Sequence, residues 1–171
     1  MKKAQKALAV ALLAAAGAAH AAPVMMSPEW AKEMCEAWNR DATLTGKLVE
    51  SGWARNDLGR GYKVMQIHRS DCKDSPRVEL RVADKGGKAV CVYGGRAESK
   101  LDSAADYAMW ATSEHWREMG MGMYGPMRAM MFGRLKFDGP YGEAMSNMGP
   151  FESFLLLVGK VPGETAACPG K

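Results

Sequence analysis

The sequence predicts an α+β domain in which an antiparallel or mixed sheet carries helices on one face. Three observations predict it. Helical and strand-like patterns are segregated along the chain, in the order helix, three or four strands, helices, one strand, helices, which is the α+β arrangement rather than the alternating α/β one. Val78-Glu79-Leu80-Arg81-Val82 alternates apolar and polar residues, the pattern of a strand with one dry and one wet face. Helix-periodic apolar stripes then recur after the strands. With 171 residues, 47% of them hydrophobic and 25% charged, the chain has the material for one globular domain. That apolar share excludes a disordered chain.

Ser27-Pro28-Glu29 reads as a helix start, with an N-cap, a proline in the first turn and an acid beside it. Trp30, Met34, Ala37 and Trp38 follow on one helical face, and the helix is expected to fade between Asn39 and Gly46. Gly52 to Gly61 reads as loop. Lys63 to His68, apolar on both faces, reads as a buried strand. Val78 to Val82 and Ala89 to Tyr93 form a hairpin about the turn Asp84-Lys85-Gly86-Gly87. Tyr107 to Thr112 is a further strand, and Ser113 caps a helical stretch through Met119. Met127, Met130 and Met131 share a short helix. Leu135 and Phe137 alternate with Arg134, Lys136 and Asp138 in a last short strand closed by Gly139-Pro140. Tyr141, Met145 and Met148 mark one short helix. Phe151, Phe154, Leu155 and Val158 mark another, with Pro150 in its first turn.

The first segment reads as a targeting signal. Lys2, Lys3 and Lys6 precede an apolar run from Ala7 to Ala19, and Ala19-His20-Ala21 places small residues where a signal peptidase cuts. The run is too short for a membrane span, which takes about 20 residues. Residues 1–21 are therefore expected to be a signal peptide, 22–60 an N-terminal helix and loop, 61–160 the main domain and 161–171 a tail. Export would place the protein in the periplasm. Loss of three lysines lowers the 23 basic residues to 20, against 19 acidic. A nearly neutral chain offers no electrostatic case for nucleic acid. The four cysteines of an exported chain suggest two disulfides. Four cysteines allow three pairings, and the expectation adopted is Cys72–Cys91 with Cys35–Cys168.

Catalytic constellations are missing from the sequence. His68 and His115 stand alone, Asp102 and Asp106 do not share a helix face, and no phosphate loop, nucleophile elbow or dinucleotide fingerprint occurs. The protein is thus expected not to be an enzyme and to need no cofactor. Methionine is the unusual feature: 14 in all, with eight between Met119 and Met148. Thioethers are soft ligands, so Met119-Gly120-Met121-Gly122-Met123 supports an alternative reading as a copper(I)-binding periplasmic chaperone. Methionine also suits apolar linings that accept ligands of varied shape, and the other five follow helical spacing. Phe154 to Val158 is apolar around the whole helix, so it must be buried on all sides or cover something apolar.

Asp106 to Trp116, Gly125 to Gly139 and Glu143 to Met148 together resemble the C-terminal half of the sterol carrier protein type 2 domain family. Gly133-Arg134-Leu135-Lys136-Phe137-Asp138-Gly139 matches that family's Gly-[Lys/Arg]-[Leu/Ile]-Lys-x-x-Gly segment. The resemblance extends loosely from Lys63 to Val158. It implies a five-stranded, mostly antiparallel sheet whose helices, on one face, enclose an apolar tunnel closed by the last helix. It also implies a non-catalytic carrier of lipid or another apolar small molecule, with transient membrane contact. On this reading Met127, Met130, Met131, Phe132, Met145, Met148, Phe151, Phe154 and Leu155 line the tunnel, with Trp110 and Trp116 at its mouth. Export, paired cysteines and the Met-Gly-Met-Gly-Met segment depart from the usual family pattern.

Overall fold

A computed structural model describes residues 21–170, so the expected signal peptide, apart from Ala21, lies outside the described residues. The helices are α1 (Pro28–Arg40), α2 (Ala42–Glu50), α3 (Ser113–Gly120), α4 (Pro126–Met131), α5 (Tyr141–Ser146) and α6 (Met148–Lys160). The strands are β1 (Lys63–Arg69), β2 (Val78–Asp84), β3 (Ala89–Arg96), β4 (Tyr107–Ala111) and β5 (Lys136–Asp138). The Ser27 hydroxyl accepts from the Trp30 amide, which caps α1 as the sequence predicts. The chain does not fade after Asn39. Asp41 ends α1 and its carboxylate accepts from the amides of Thr43 and Leu44, which starts α2 at once. Leu44 and Leu48, one turn apart, then give α2 its buried face. Ser113 is the first helical residue of α3, and its predicted capping role belongs to Thr112.

The strands form one five-stranded sheet in the order β3-β2-β1-β4-β5. Every pair is antiparallel except β1–β4. Residues facing one another across the strands (Met65 with Leu80 and Tyr107, Ile67 with Val78 and Met109) are buried under the helices. The core runs without interruption from Met25 to Val161. No described helix is long and apolar enough to cross a membrane.

A parallel β1–β4 pair obliges the chain to cross the sheet between β3 and β4, and here residues 97–106 do so over the face opposite the helices. Two fully buried carboxylates hold that passage. Glu79 accepts from the Ser99 amide at 3.0 Å and the Ser99 hydroxyl at 2.9 Å. Asp106 accepts from the amides of Val64 (3.0 Å) and Asp102 (2.8 Å) and from both terminal nitrogens of Arg60, at 2.9 and 2.6 Å. Burial alone would raise the Asp106 pKa. Arg60 and the two amides outweigh it and hold the carboxyl below its ordinary value. The same balance, with the Ser99 amide, Arg81, the Ser99 hydroxyl and Gln66 as donors, depresses Glu79.

Helix α1 lies directly on the edge strand β3. A side chain at Gly94 would stand 2.1 Å from the Ala31 carbonyl oxygen, so only glycine fits there. Asn39 donates to the Cys91 carbonyl and accepts from the Cys91 amide, both at 2.8 Å, and so occupies the strand's free edge. This contact corrects the expected cysteine pairing. The bonds are Cys35–Cys91 and Cys72–Cys168, not Cys72–Cys91 and Cys35–Cys168. Val82 pairs with both Cys91 and Lys63, so Cys91 sits level with the start of β1. Cys72 follows the end of β1, at the far end of the sheet. There the tail comes within reach, held by Arg69 donating to the carbonyls of Ala167 and Thr165, both at 2.7 Å.

Non-reducing peptide mapping of the mature protein is expected to recover Cys35 linked to Cys91 and Cys72 linked to Cys168. A Cys72–Cys91 peptide would refute the arrangement. Replacing Cys72 and Cys168 together by serine is expected to lower the unfolding free energy by about 3 kcal/mol. Asp106 contributes stability while ionised, above the ordinary carboxylate range, and that contribution is lost as pH falls through its depressed native pKa. Asp106→Asn is therefore expected to cost about 2 kcal/mol at neutral pH. Urea titrations should also show a flatter loss of stability below about pH 4 in the variant than in the parent.

Candidate functional site

The helix layer covers the sheet over an apolar interior. Met65 of β1 and Tyr107 of β4 form its floor. Trp38, Leu44, Leu48 and Trp53 close one side, and Ala144, Asn147, Pro150, Phe151 and Phe154 make the roof. Aromatic rings fill most of the space: Trp38 lies 6.3 Å from Trp53 and 6.2 Å from Phe154, and Tyr107 lies 5.7 Å from Trp53. What remains is a cavity of about 20 Å³, the room of one water-sized sphere. An acyl chain would have to displace the roof, α5 and the first turns of α6.

One end of this interior is polar. Lys63, the first residue of β1, faces the helices and is completely buried. Its ammonium pairs with Glu143 of α5 and lies 4.7 Å from the Trp53 ring centre and 5.0 Å from that of Tyr107. The Tyr107 hydroxyl donates to Glu143 at 2.6 Å, the Asn56 amide donates to the other carboxylate oxygen at 2.8 Å, and the Trp53 indole N–H donates to the Tyr107 oxygen at 3.0 Å. Burial pushes the Lys63 pKa down, against the upward pull of Glu143. Burial and the Glu143 carboxylate both push Tyr107 up, so its hydroxyl stays a donor.

The nine residues expected to line a tunnel do not lie together. Phe151 and Phe154 line the interior cavity, and Leu155 is buried in the core. Met127, Met130 and Met131 border an outer groove of about 370 Å³ with Leu135, Lys136, Phe137 and Tyr141. Met148 meets Met127 in a neighbouring surface hollow, and Met145 is half-buried outside both. Met131 and Phe132 are exposed, at 72% and 64%. The reason lies in α4: its inward face is Pro126 and Ala129, so Met127 and Met131 point outward while Met130 is half-buried against the core. Trp116 is fully buried and donates to the His68 carbonyl, while Trp110 stacks on His68 on the far side of the sheet; neither stands at a mouth.

The Met-Gly-Met-Gly-Met segment has a structural account. It is the C-terminus of α3: Gly122, at φ +71°, is the left-handed residue after the cap, the Met123 amide donates to the Glu118 carbonyl, and the Gly122 amide donates to the Met119 carbonyl. That is a Schellman ending. Gly120 is required because α3 crosses α6 there, and a side chain would stand 2.6 Å from the Gly159 Cα. Met119 is buried in the core while Met121 and Met123 are exposed, so the three sulfurs do not share a surface. Among the described residues, no group of three or more His, Cys, Asp or Glu could hold a metal ion.

Trp38, Trp53, Lys63, Tyr107 and Glu143 escape the sequence reading because they come from five separate segments. A lysine opening a strand with Val64, Met65 and Ile67 was the signal available.

A family model described as the SCP-2 sterol transfer family matches residues 42–152. No curated protein matches the chain significantly. The fold is similar to a crystal structure of sterol carrier protein 2, at 16% identity and a TM-score of 0.54, covering 80% of this chain and 98% of that one. It is also similar to the solution structure of a conserved hypothetical protein from Thermus thermophilus, at 16% identity and a TM-score of 0.51, covering 85% and 94%. With a matching model over most of its length and the five-stranded sheet beneath one layer of helices, the chain belongs to the SCP-2 sterol transfer family.

Proposed function

We propose that the protein is an exported, non-catalytic carrier of an apolar ligand, held between the sheet and the roof made by α5 and α6. The observation that carries this is the apolar interior closed by a short helix: of the six residues of α5 only Ala144 is buried. Family membership supports lipid or another apolar small molecule as cargo. The signal-like first segment and two disulfides, with no free cysteine among the described residues, support a periplasmic location.

The outer methionine face supports transient membrane contact. Met127, Met131, Phe132 and Tyr141 are all exposed, and Met127, Met131 and Tyr141 border one outer groove, the kind of apolar surface that marks interaction sites. From Met119 to Phe137 the chain carries Arg128, Arg134 and Lys136 and no acid, a charge pattern suited to anionic headgroups.

Native mass spectrometry of the mature protein from periplasm, followed by solvent extraction, is expected to release a stoichiometric lipid-like compound. A protein that carries nothing and takes up no fluorescent acyl chain would overturn the carrier reading. Because Met131 and Phe132 are exposed, Met131→Asp with Phe132→Asp is expected to leave folding and acyl-chain uptake intact. The same variant is expected to lose at least about tenfold in co-sedimentation with phosphatidylglycerol vesicles. Unchanged co-sedimentation would remove α4 from the membrane-facing role.

A further inference from the structure

Resting on the carrier reading above, we propose that the Lys63 cluster is a carboxylate receptor that Glu143 of the same chain occupies, so that a long-chain carboxylic acid is taken up by exchange of one carboxylate for another.

Three donors from three separate segments converge on the Glu143 carboxylate: the Lys63 ammonium of β1, the Tyr107 hydroxyl of β4 and the Asn56 side-chain amide of the loop before β1. All three stand on the sheet or on the loop that leads into it. The Trp53 indole N–H occupies the Tyr107 oxygen and so aims the phenolic proton at the carboxylate. The acceptor alone comes from the roof, on a six-residue helix with one buried residue, and the Glu143 side chain retains 19% of its exposure. The donors are carried by the sheet and its leading loop, and the acceptor by a short helix that buries one side chain.

The charges favour exchange over simple insertion. Lys63 is fully buried, and a buried cation is tolerated only beside an anion. A neutral ligand that displaced Glu143 would strand the ammonium. An ionised carboxylic acid would leave the charge of the site unchanged and release Glu143 into water it already touches. The same Trp53 and Tyr107 rings that flank Lys63 are walls of the apolar cavity, and Ala144, next to Glu143, is part of its roof. A carboxylate held at Lys63 therefore has its alkyl chain pointing into the space that opens when α5 lifts.

The test compares palmitate with hexadecanol, of equal chain length, by displacement of a fluorescent apolar probe from the delipidated mature protein. The parent is expected to bind palmitate at least about tenfold more tightly, the worth of a charge-assisted hydrogen bond. Glu143→Gln removes the internal competitor, so palmitate is expected to tighten about tenfold further and hexadecanol by less than about threefold. Tyr107→Phe keeps the ring and removes one donor, and is expected to narrow the preference severalfold. If Glu143→Gln does not fold, Tyr107→Phe decides alone. Equal affinity for acid and alcohol in the parent, or no gain for palmitate in Glu143→Gln and an unaltered preference in Tyr107→Phe, overturns the receptor while the carrier reading stands. Binding of neither compound by parent or variant overturns both.

Discussion

The crossover between β3 and β4 is the constraint on which the other features rest. Parallel pairing of β1 with β4 at the centre of an otherwise antiparallel sheet needs a long connection, usually a helix packed on the sheet. Here ten residues without regular structure make it. An irregular segment cannot satisfy its own backbone, so its polar groups must find partners elsewhere. Glu79 and Asp106 supply them, one near each end, and both carboxylates are buried and fully partnered. Because Asp106 also accepts from Val64, it sets β4 beside β1. That places Tyr107 beside Met65, where both form the floor of the interior.

With the crossover on one face, every helix must share the other. Burial is worth about 25 cal/mol per Å² of apolar surface, so the large rings compete for a single layer. Trp30, Trp38, Trp116 and Phe154 take it. Helix α6 then has the sheet beneath it and α3 beside it, which accounts for Phe154 to Val158 being apolar around most of the helix. Helix α4 is left at the margin with its small residues inward, Met130 half-buried against the core, and Met127 and Met131 in solvent. One layer, filled from the centre, explains both the dense interior and the apolar outer face.

Features that depend on neighbouring residues were legible in the sequence. The Ser27 cap, the Asp84–Gly87 hairpin and the helical spacing of α6 all appear where the pattern puts them. The alternation of β2 marks a strand, but its polar face is not wet: the crossover covers it and Glu79 is fully buried. The family segment Gly133–Gly139 led to the correct five-stranded sheet. Features that depend on which ends of the sheet meet were not legible. Cys72 and Cys91 are close along the chain but stand at opposite ends of β1. The stripe of Met127, Met130 and Met131 shows that α4 has an apolar face, but periodicity carries no sign, and Ala129 decided which face turned inward. The Lys63 cluster draws on the loop before β1, two strands that pair only through the crossover, and a helix some eighty residues later. No local pattern encodes it.

The disulfides divide the molecule in a way that bears on ligand entry. Cys35–Cys91 ties α1 to the edge strand β3, and Cys72–Cys168 ties the tail beyond α6 to the end of β1. Both staples lie on the sheet, its first helix or the last residues, and none reaches α4, α5 or the N-terminal turns of α6. Local opening costs less than global unfolding where few apolar side chains are buried, and α5 buries one. Its hold on the sheet is the Glu143 carboxylate, a polar contact that another carboxylate can replace without loss of charge balance. The stapled half of the structure thus carries the floor and the donors, while the unstapled half carries the roof. On the proposed carrier reading, this division lets the cavity open without disturbing the crossover that positions its walls.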